Sequence, residues 1–210
     1  MTIKKMLKEF LILNKDKIKF GLKWTSILFT TIVLIAFAVG RFYGQIPKWS
    51  LFITTLVVAG VFFPIFIWTL GIFKDYLEFK RTNEILNRYP YNELIKNGFH
   101  RVMTNKNTKW LLSQIMLQGY FEDYPMDCEV ENGVLKMIAL VNRDNFKKEH
   151  IEELRIEFGE SKVDYDWLGI ALKYNVEKER LNAYGQLSED LKRFITFFKK
   201  KELKPWDKPW

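Results

Sequence analysis

Glu153, Glu157 and Glu160 stand at i, i+4 and i+7, a spacing that lines three carboxylates along one face of a helix. Asp164 and Asp166 follow at the alternate spacing that puts both on one face of a strand. Paired carboxylates perform general acid–base chemistry when one is desolvated enough to keep its proton near neutral pH. Here Lys147, Lys148, Arg155 and Lys162 lie among them, which predicts a solvated, charge-balanced surface. The other reactive side chains are Cys128, His100 and His150. A metal site needs three or four converging ligands, and neither histidine lies in an H-x-x-x-H or C-x-x-C context. Cys128 and His150 would form a nucleophilic pair only if the fold brought them together, and Cys128 reads as a small core hydrophobe instead. No Gly-rich phosphate loop, nucleophile elbow or kinase signature occurs. The sequence assigns no catalytic residue, metal ligand or cofactor, and it leans away from an enzyme.

The elements that would position these groups are α and β in mixture. Asn132-Gly133 separates two alternating runs, and this pair tolerates the positive φ that a two-residue hairpin turn needs at both central positions. The register this sets places Met126 opposite Ala139, Cys128 opposite Met137, Val130 opposite Leu135 and Glu129 opposite Lys136. Trp110 to Phe121 reads as a preceding apolar β run. A helix is expected from Asp144 as N-cap to Phe158, ended by Gly159, with Ile151, Leu154 and Phe158 inward. Val163–Asp166 and Leu168–Tyr174 read as strands. A last helix is expected from Ser188, with Leu191, Phe194, Ile195 and Phe198 at core spacing and Lys199, Lys200 and Lys201 at its negative end. Consecutive strands with tight turns predict a mostly antiparallel sheet with helices on one face, an α+β domain over residues 99–210.

Upstream, the chain changes character. Trp24 to Gly40 carries no charged residue, and neither does Trp49 to Phe73. At about 1.5 Å per residue the second run exceeds a hydrocarbon core of roughly 30 Å. The first reaches it when Arg41 snorkels outward and Phe42 and Tyr43 complete the crossing. Between them GRFYGQIPKWS is a polar interruption. A buried soluble core rarely needs so long an uncharged run, and the small-x-small triplet Ala36-Phe37-Ala38 offers a signal-cleavage alternative at Ala38. The favoured reading is a transmembrane hairpin, spans 24–43 and 50–73, with an external loop 44–49 turned by Gly44 and Pro47. Thr25, Ser26, Thr30, Thr31, Thr54 and Thr55 are candidates for interhelical hydrogen bonds, Gly60 for close approach and Pro64 for a kink. The runs hold no ionisable residue that would serve a proton or ion path.

Orientation follows the lysines. Residues 1–49 hold nine Lys and Arg against two acidic residues, whereas residues 74–210 hold 24 against 23. The overall net charge of +8 therefore belongs to the membrane end. The near-neutral domain argues against nucleic acid as partner. Positive residues before the first run and after the second predict both termini on the cytoplasmic side of a plasma (inner) membrane. Trp24, Tyr43, Trp49 and Tyr76 are the expected interface aromatics. Segment 1–23 is basic and amphipathic, suited to an anionic leaflet or to a loose helix with positive-inside charge. Segment 74–98 reads as a helical stalk. A lone cysteine suits a reducing compartment.

Lys204, Trp206, Lys208 and Trp210 form a Lys/Trp/Pro tail, either packed on the domain or free to touch a partner or lipid. Together these features predict a membrane-anchored, non-enzymatic binding module of accessory, regulatory or immunity type. Its partners would be lipid, another protein, and a second copy through the helices. A membrane-surface enzyme or small-ligand sensor and an oligomeric pore are the alternatives.

Overall fold

The computed structural model describes residues 3–44, 48–142, 146–165, 169–176 and 184–207. Asp144, Asp166, Leu168, Pro47, Lys208 and Trp210 lie outside them. The chain divides into two compact units, one comprising Met1–Leu77 with Asn105–Gln114, the other Glu78–Thr104 with Ile115–Trp210.

The first unit is built on α1 (Ile3–Phe42), α2 (Trp49–Val57) and the start of α3 (Phe63–Leu86). Five residues of π-helix, Val58–Phe62, join α2 to α3. Proline explains this widened turn: Pro64 has no N–H for the carbonyl one turn back and its ring crowds that carbonyl. In the π turn Phe63 N–H instead reaches Val58 C=O. The kink expected at Pro64 thus takes the form of a π-bulge, which Trp49–Leu86 passes through without ending.

Small residues and aromatics make the seam between the two helical arms. Gly60 is buried, and a Cβ there would stand 2.6 Å from Thr30 Oγ1, so any larger residue would force the Thr30 hydroxyl to move. A Cβ at Gly21 would overlap the Trp68 ring. Trp68 Nε1–H donates to Thr25 Oγ1 at 2.9 Å. Phe37 lies 4.0 Å from Phe52 between ring centroids, and Phe29 lies 4.9 Å from Phe63. Thr25 thus joins the two arms by a hydrogen bond. Thr31, Thr54 and Thr55, expected to bond between helices, donate instead to the carbonyls of Ile27, Ser50 and Leu51 in their own helix. A hydroxyl one turn below its acceptor satisfies itself locally, which costs less order than reaching across.

The N-terminal segment 1–23 is not a separate surface helix. From Ile3 it is the first half of α1, and Met6, Phe10 and Asn14 are buried. Phe10 packs against Tyr76 at 5.8 Å, and the Tyr76 hydroxyl donates to Ile3 C=O at 3.3 Å.

The second unit is α+β. Strands β1 (His100–Met103), β2 (Ile115–Phe121), β3 (Tyr124–Glu131), β4 (Val134–Ala139), β5 (Val163–Tyr165) and β6 (Ile170–Asn175) form one sheet in the order β1-β2-β3-β4-β6-β5. Every neighbouring pair is antiparallel. The β3–β4 register is the one that Asn132-Gly133 dictates, Cys128 facing Met137 and Glu129 facing Lys136, with φ of 50° and 77° at the two turn residues. Lys136 makes its ion pair diagonally, to Glu131 at 2.6 Å. Strand β1 is absent from the sequence reading, and β2 begins at Ile115 rather than Trp110.

Helices α4 (Asn92–Lys96), α5 (Lys148–Phe158) and α6 (Tyr184–Lys200) complete the unit. Gly159 ends α5 with φ 101° and ψ 140°, a backbone region that glycine reaches at little cost. Its N-cap is Lys147, whose backbone N–H donates to His150 Nδ1 at 3.3 Å. Helix α6 starts one turn before Ser188. Leu187, Leu191, Phe194, Ile195 and Phe198 are all fully buried, and Phe198 meets Tyr124 of β3 at 5.7 Å.

Segment 74–98 is no free stalk either. Phe79, Thr82, Asn83, Ile85 and Leu86 are buried. Glu78 Oε1 accepts the N–H of Asn132 at 3.0 Å, and Arg81 lies against Gly133. The end of α3 is therefore a domain helix pinned to the hairpin turn.

Candidate functional site

Among the described residues the groups able to do chemistry do not converge. Cys128 lies on the inner face of β3, fully buried. Burial pushes its thiol far up from the ordinary range, and the Glu129 and Asp127 carboxylates add to the effect. Since the thiolate is the nucleophile, this cysteine is inert core. His150 is spent on the α5 N-cap. Asp164 pairs with Lys173 at 3.2 Å. Its burial alone would raise the carboxyl, but the Lys173 hydrogen bond and charge, the Tyr165 N–H and Lys136 outweigh it and bring it down. The Lys201 ammonium, hydrogen-bonded to Glu153, holds that carboxyl low as well. A general acid needs the opposite shift. Among the described residues no group of three His, Cys, Asp or Glu side chains is placed to hold a metal.

One groove, of about 430 Å³, runs between α5 and α6. Its lining is charged in both senses: Glu153, Glu157, Lys192, Arg193, Lys200 and Lys201. Two ion pairs cross it, Glu153–Lys201 and Glu157–Arg193, the second at 3.3 Å. The cross-pairing ties the two helices together and takes up four of the lining charges, with Glu189, Lys192 and Lys200 making up the rest. Pairs as open to solvent as these are screened and add little to stability.

In the first unit α1 and Trp49–Leu86 each contain a stretch long and apolar enough to cross a membrane. Their outward residues are bare: Leu28, Ile35, Leu51, Phe62, Phe66, Leu70 and Phe73 are all exposed. A soluble monomer rarely shows so long an apolar face. Of the four expected interface aromatics, Trp24, Tyr43 and Trp49 are exposed, whereas Tyr76 is only 7% exposed. Tyr76 is turned inward because Phe10 and the Ile3 carbonyl offer it a ring contact and an acceptor.

Also in this unit, Asn105–Gln114 is held to α1 by a polar clasp that sequence reading missed. Asn14 is fully buried. Its Oδ1 accepts the Ser113 N–H at 2.7 Å, and its Nδ2 donates to the carbonyls of Ser113 and Phe10 at 3.3 and 3.2 Å. One turn on, Lys17 Nζ donates to Ser113 Oγ and Leu111 C=O, both at 2.9 Å, and to Asn105 C=O. Partial burial lowers the Lys17 ammonium from its ordinary value. Asn105 Nδ2 closes the loop on Leu112 C=O at 3.2 Å. An asparagine and a lysine at i and i+3 on a mostly apolar helix face are the one signal that would have pointed here.

In the second unit the described part of the tail, Lys204 to Asp207, is packed through its backbone. Lys204 C=O accepts from Asn142 N–H at 2.8 Å, and Trp206 N–H donates to Leu140 C=O at 3.0 Å. Pro205 bridges Val141, and the Tyr124 hydroxyl donates to Leu203 C=O at 2.7 Å. The backbone is fixed there, yet Trp206 remains 41% exposed, and Lys204 is exposed beside it.

No known protein family, curated protein or solved structure matches this chain.

Proposed function

We propose that this chain is an integral membrane protein whose hairpin, α1 with α2–α3, anchors a non-enzymatic α+β binding domain at the cytoplasmic face of a plasma (inner) membrane. The continuous exposed apolar surface of the two arms, sealed against each other by Gly60, Thr30 and the Phe37–Phe52 contact, supports the anchoring. Lysines 4, 5, 8, 15, 17, 19 and 23 support the orientation, with only Arg41 and Lys48 near the intervening turn. Both termini and the domain then face the cytoplasm, and the turn after Phe42 faces outward. The two arms also offer a surface for pairing with a second copy.

The observation that carries the binding role is Trp206. A tryptophan whose backbone is bonded into the domain while its ring stays exposed is an anchor for a protein partner, because its ordering cost is already met. An accessory, regulatory or immunity-type protein fits that design. A pull-down of the full chain from native membranes, with mass spectrometry of what accompanies it, is expected to recover a stoichiometric protein partner. Trp206→Ala is expected to weaken that association by about 2 kcal/mol or more, roughly thirtyfold, as hot-spot truncations do. Thermal unfolding should barely change, since the exposed ring leaves the backbone bonds in place. Undiminished association would remove Trp206 from the interface, and recovery of the chain alone would remove the binding reading.

A further inference from the structure

We propose that Asn105–Gln114 is a second membrane contact, a loop that lies in the headgroup layer of the cytoplasmic leaflet and binds anionic lipid. The inference rests on the reading that α1 crosses the bilayer. The loop holds two lysines, Lys106 and Lys109, and no acidic residue. Its apolar residues are sorted: Leu112 is buried, whereas Trp110 and Leu111 are 58% and 56% exposed. That sorting is deliberate in structural terms, because the Asn14–Lys17 clasp fixes the backbone that projects them. Trp110 packs edge-on against Phe20 of α1 with centroids 4.8 Å apart. Lys109 Nζ lies 5.6 Å from the same ring. Phe20 in turn meets Trp24 at 6.0 Å, and Trp24 opens the uncharged stretch.

Depth follows from this chain of contacts. The headgroup region adds roughly 5–7 Å on each side of the hydrocarbon core. One helical turn, about 5.4 Å, separates Trp24 from Phe20. With Trp24 at the hydrocarbon boundary, Phe20, Trp110 and Leu111 fall within the headgroup layer, where indole rings partition and lysines meet phosphates. Lys19 and Lys23, exposed on the neighbouring turns of α1, extend the same basic collar. The occupant of this surface is the lipid that already surrounds α1, since the apolar face of the loop is continuous with that of the helix. The loop would thereby fix how deep α1 sits.

The test uses the full chain with Cys128→Ser, reconstituted in vesicles of phosphatidylcholine with phosphatidylglycerol. One spin label is placed at Leu111→Cys and a reference label at Leu28→Cys, and both are read for accessibility to oxygen and to an aqueous nickel complex. The expected result is a Leu28 site shielded from nickel, as hydrocarbon requires, and a Leu111 site several-fold less exposed to nickel than a label at Lys148→Cys. Lys106→Glu with Lys109→Glu should then return the Leu111 label toward water. A shielded Leu28 site with a fully water-exposed Leu111 site would overturn the loop contact and leave the spanning reading intact. Water at both sites would overturn the spanning reading and the loop contact with it. Shielding of the Leu111 label that vanishes as the protein is diluted into excess lipid would assign the surface to a second copy and overturn lipid as its occupant.

Discussion

Phe198→Ala is expected to destabilise the α+β unit by about 3–5 kcal/mol, the range for removing a large buried aromatic. Phe198 has no exposed surface. It stands where α6 meets the sheet, 4.5 Å from Phe194, 5.7 Å from Tyr124 and 6.2 Å from Phe197 between centroids. Its backbone C=O also accepts the N–H of Leu203, which turns the chain toward the tail. Truncation would leave a cavity that these rings cannot collapse to fill, because Tyr124 is tied by its hydroxyl to Leu203 C=O. Set against a domain stability of about 5–15 kcal/mol, the loss is large enough to lower the thermal midpoint markedly in mild detergent. Thr196→Ala on the exposed side of the same helix is the control, expected to change stability by about 0.5 kcal/mol or less. Equal effects from the two substitutions would mean that α6 is not seated on the sheet as described.

Asn14→Ala should have the second largest effect, and a local one. It strips the Ser113 N–H and C=O of their partner inside a buried site, at a cost on the order of 1–3 kcal/mol for each group left unpaired. Lys17 would remain, and its three donors hold the outer part of the loop. The combined Asn14→Ala, Lys17→Ala variant is therefore expected to release Asn105–Gln114 entirely. Limited trypsinolysis in detergent should show it as faster cleavage after Lys106 and Lys109. The α+β unit should keep its far-ultraviolet spectrum. Cleavage at the unmodified rate would show that the polar clasp does not hold the loop.

The sequence made the hairpin at Asn132-Gly133 legible in full, down to the pairing of Cys128 with Met137. Turn chemistry and alternation there act over neighbouring residues and do not depend on the rest of the fold. The core stripe of α6 was legible for the same reason. Strand β1 was not, since His100–Met103 is short, lies at the sheet edge and is half exposed, so it carries no alternation. The run from Trp110 to Gln114 misleads by composition: its apolar residues are divided between buried Leu112 and exposed Trp110 and Leu111, a sorting set by α1 rather than by a strand. The end of α3 reads as a stalk from the mixed surface of Leu77, Glu84 and Arg88, which leaves the roles of Glu78, Arg81 and Asn83 unseen. Their work, accepting the Asn132 N–H and meeting Gly133 and Arg101, depends on residues distant in sequence. Tyr76 misleads likewise, as an aromatic beside an apolar run is an interface anchor unless a partner such as Phe10 captures it. At the candidate sites, the tail was visible as unusual, but its pinned backbone and exposed ring were not.

A membrane-impermeant maleimide tests most directly whether the chain crosses the membrane twice with its domain inside. In intact cells carrying the Cys128→Ser chain, a cysteine at Tyr43 should label without permeabilisation, and one at Lys148 only after it. Labelling at Lys148 from outside, with Tyr43 protected, would invert the orientation. Labelling at both sites, or extraction of the protein by alkaline carbonate, would contradict the double crossing itself.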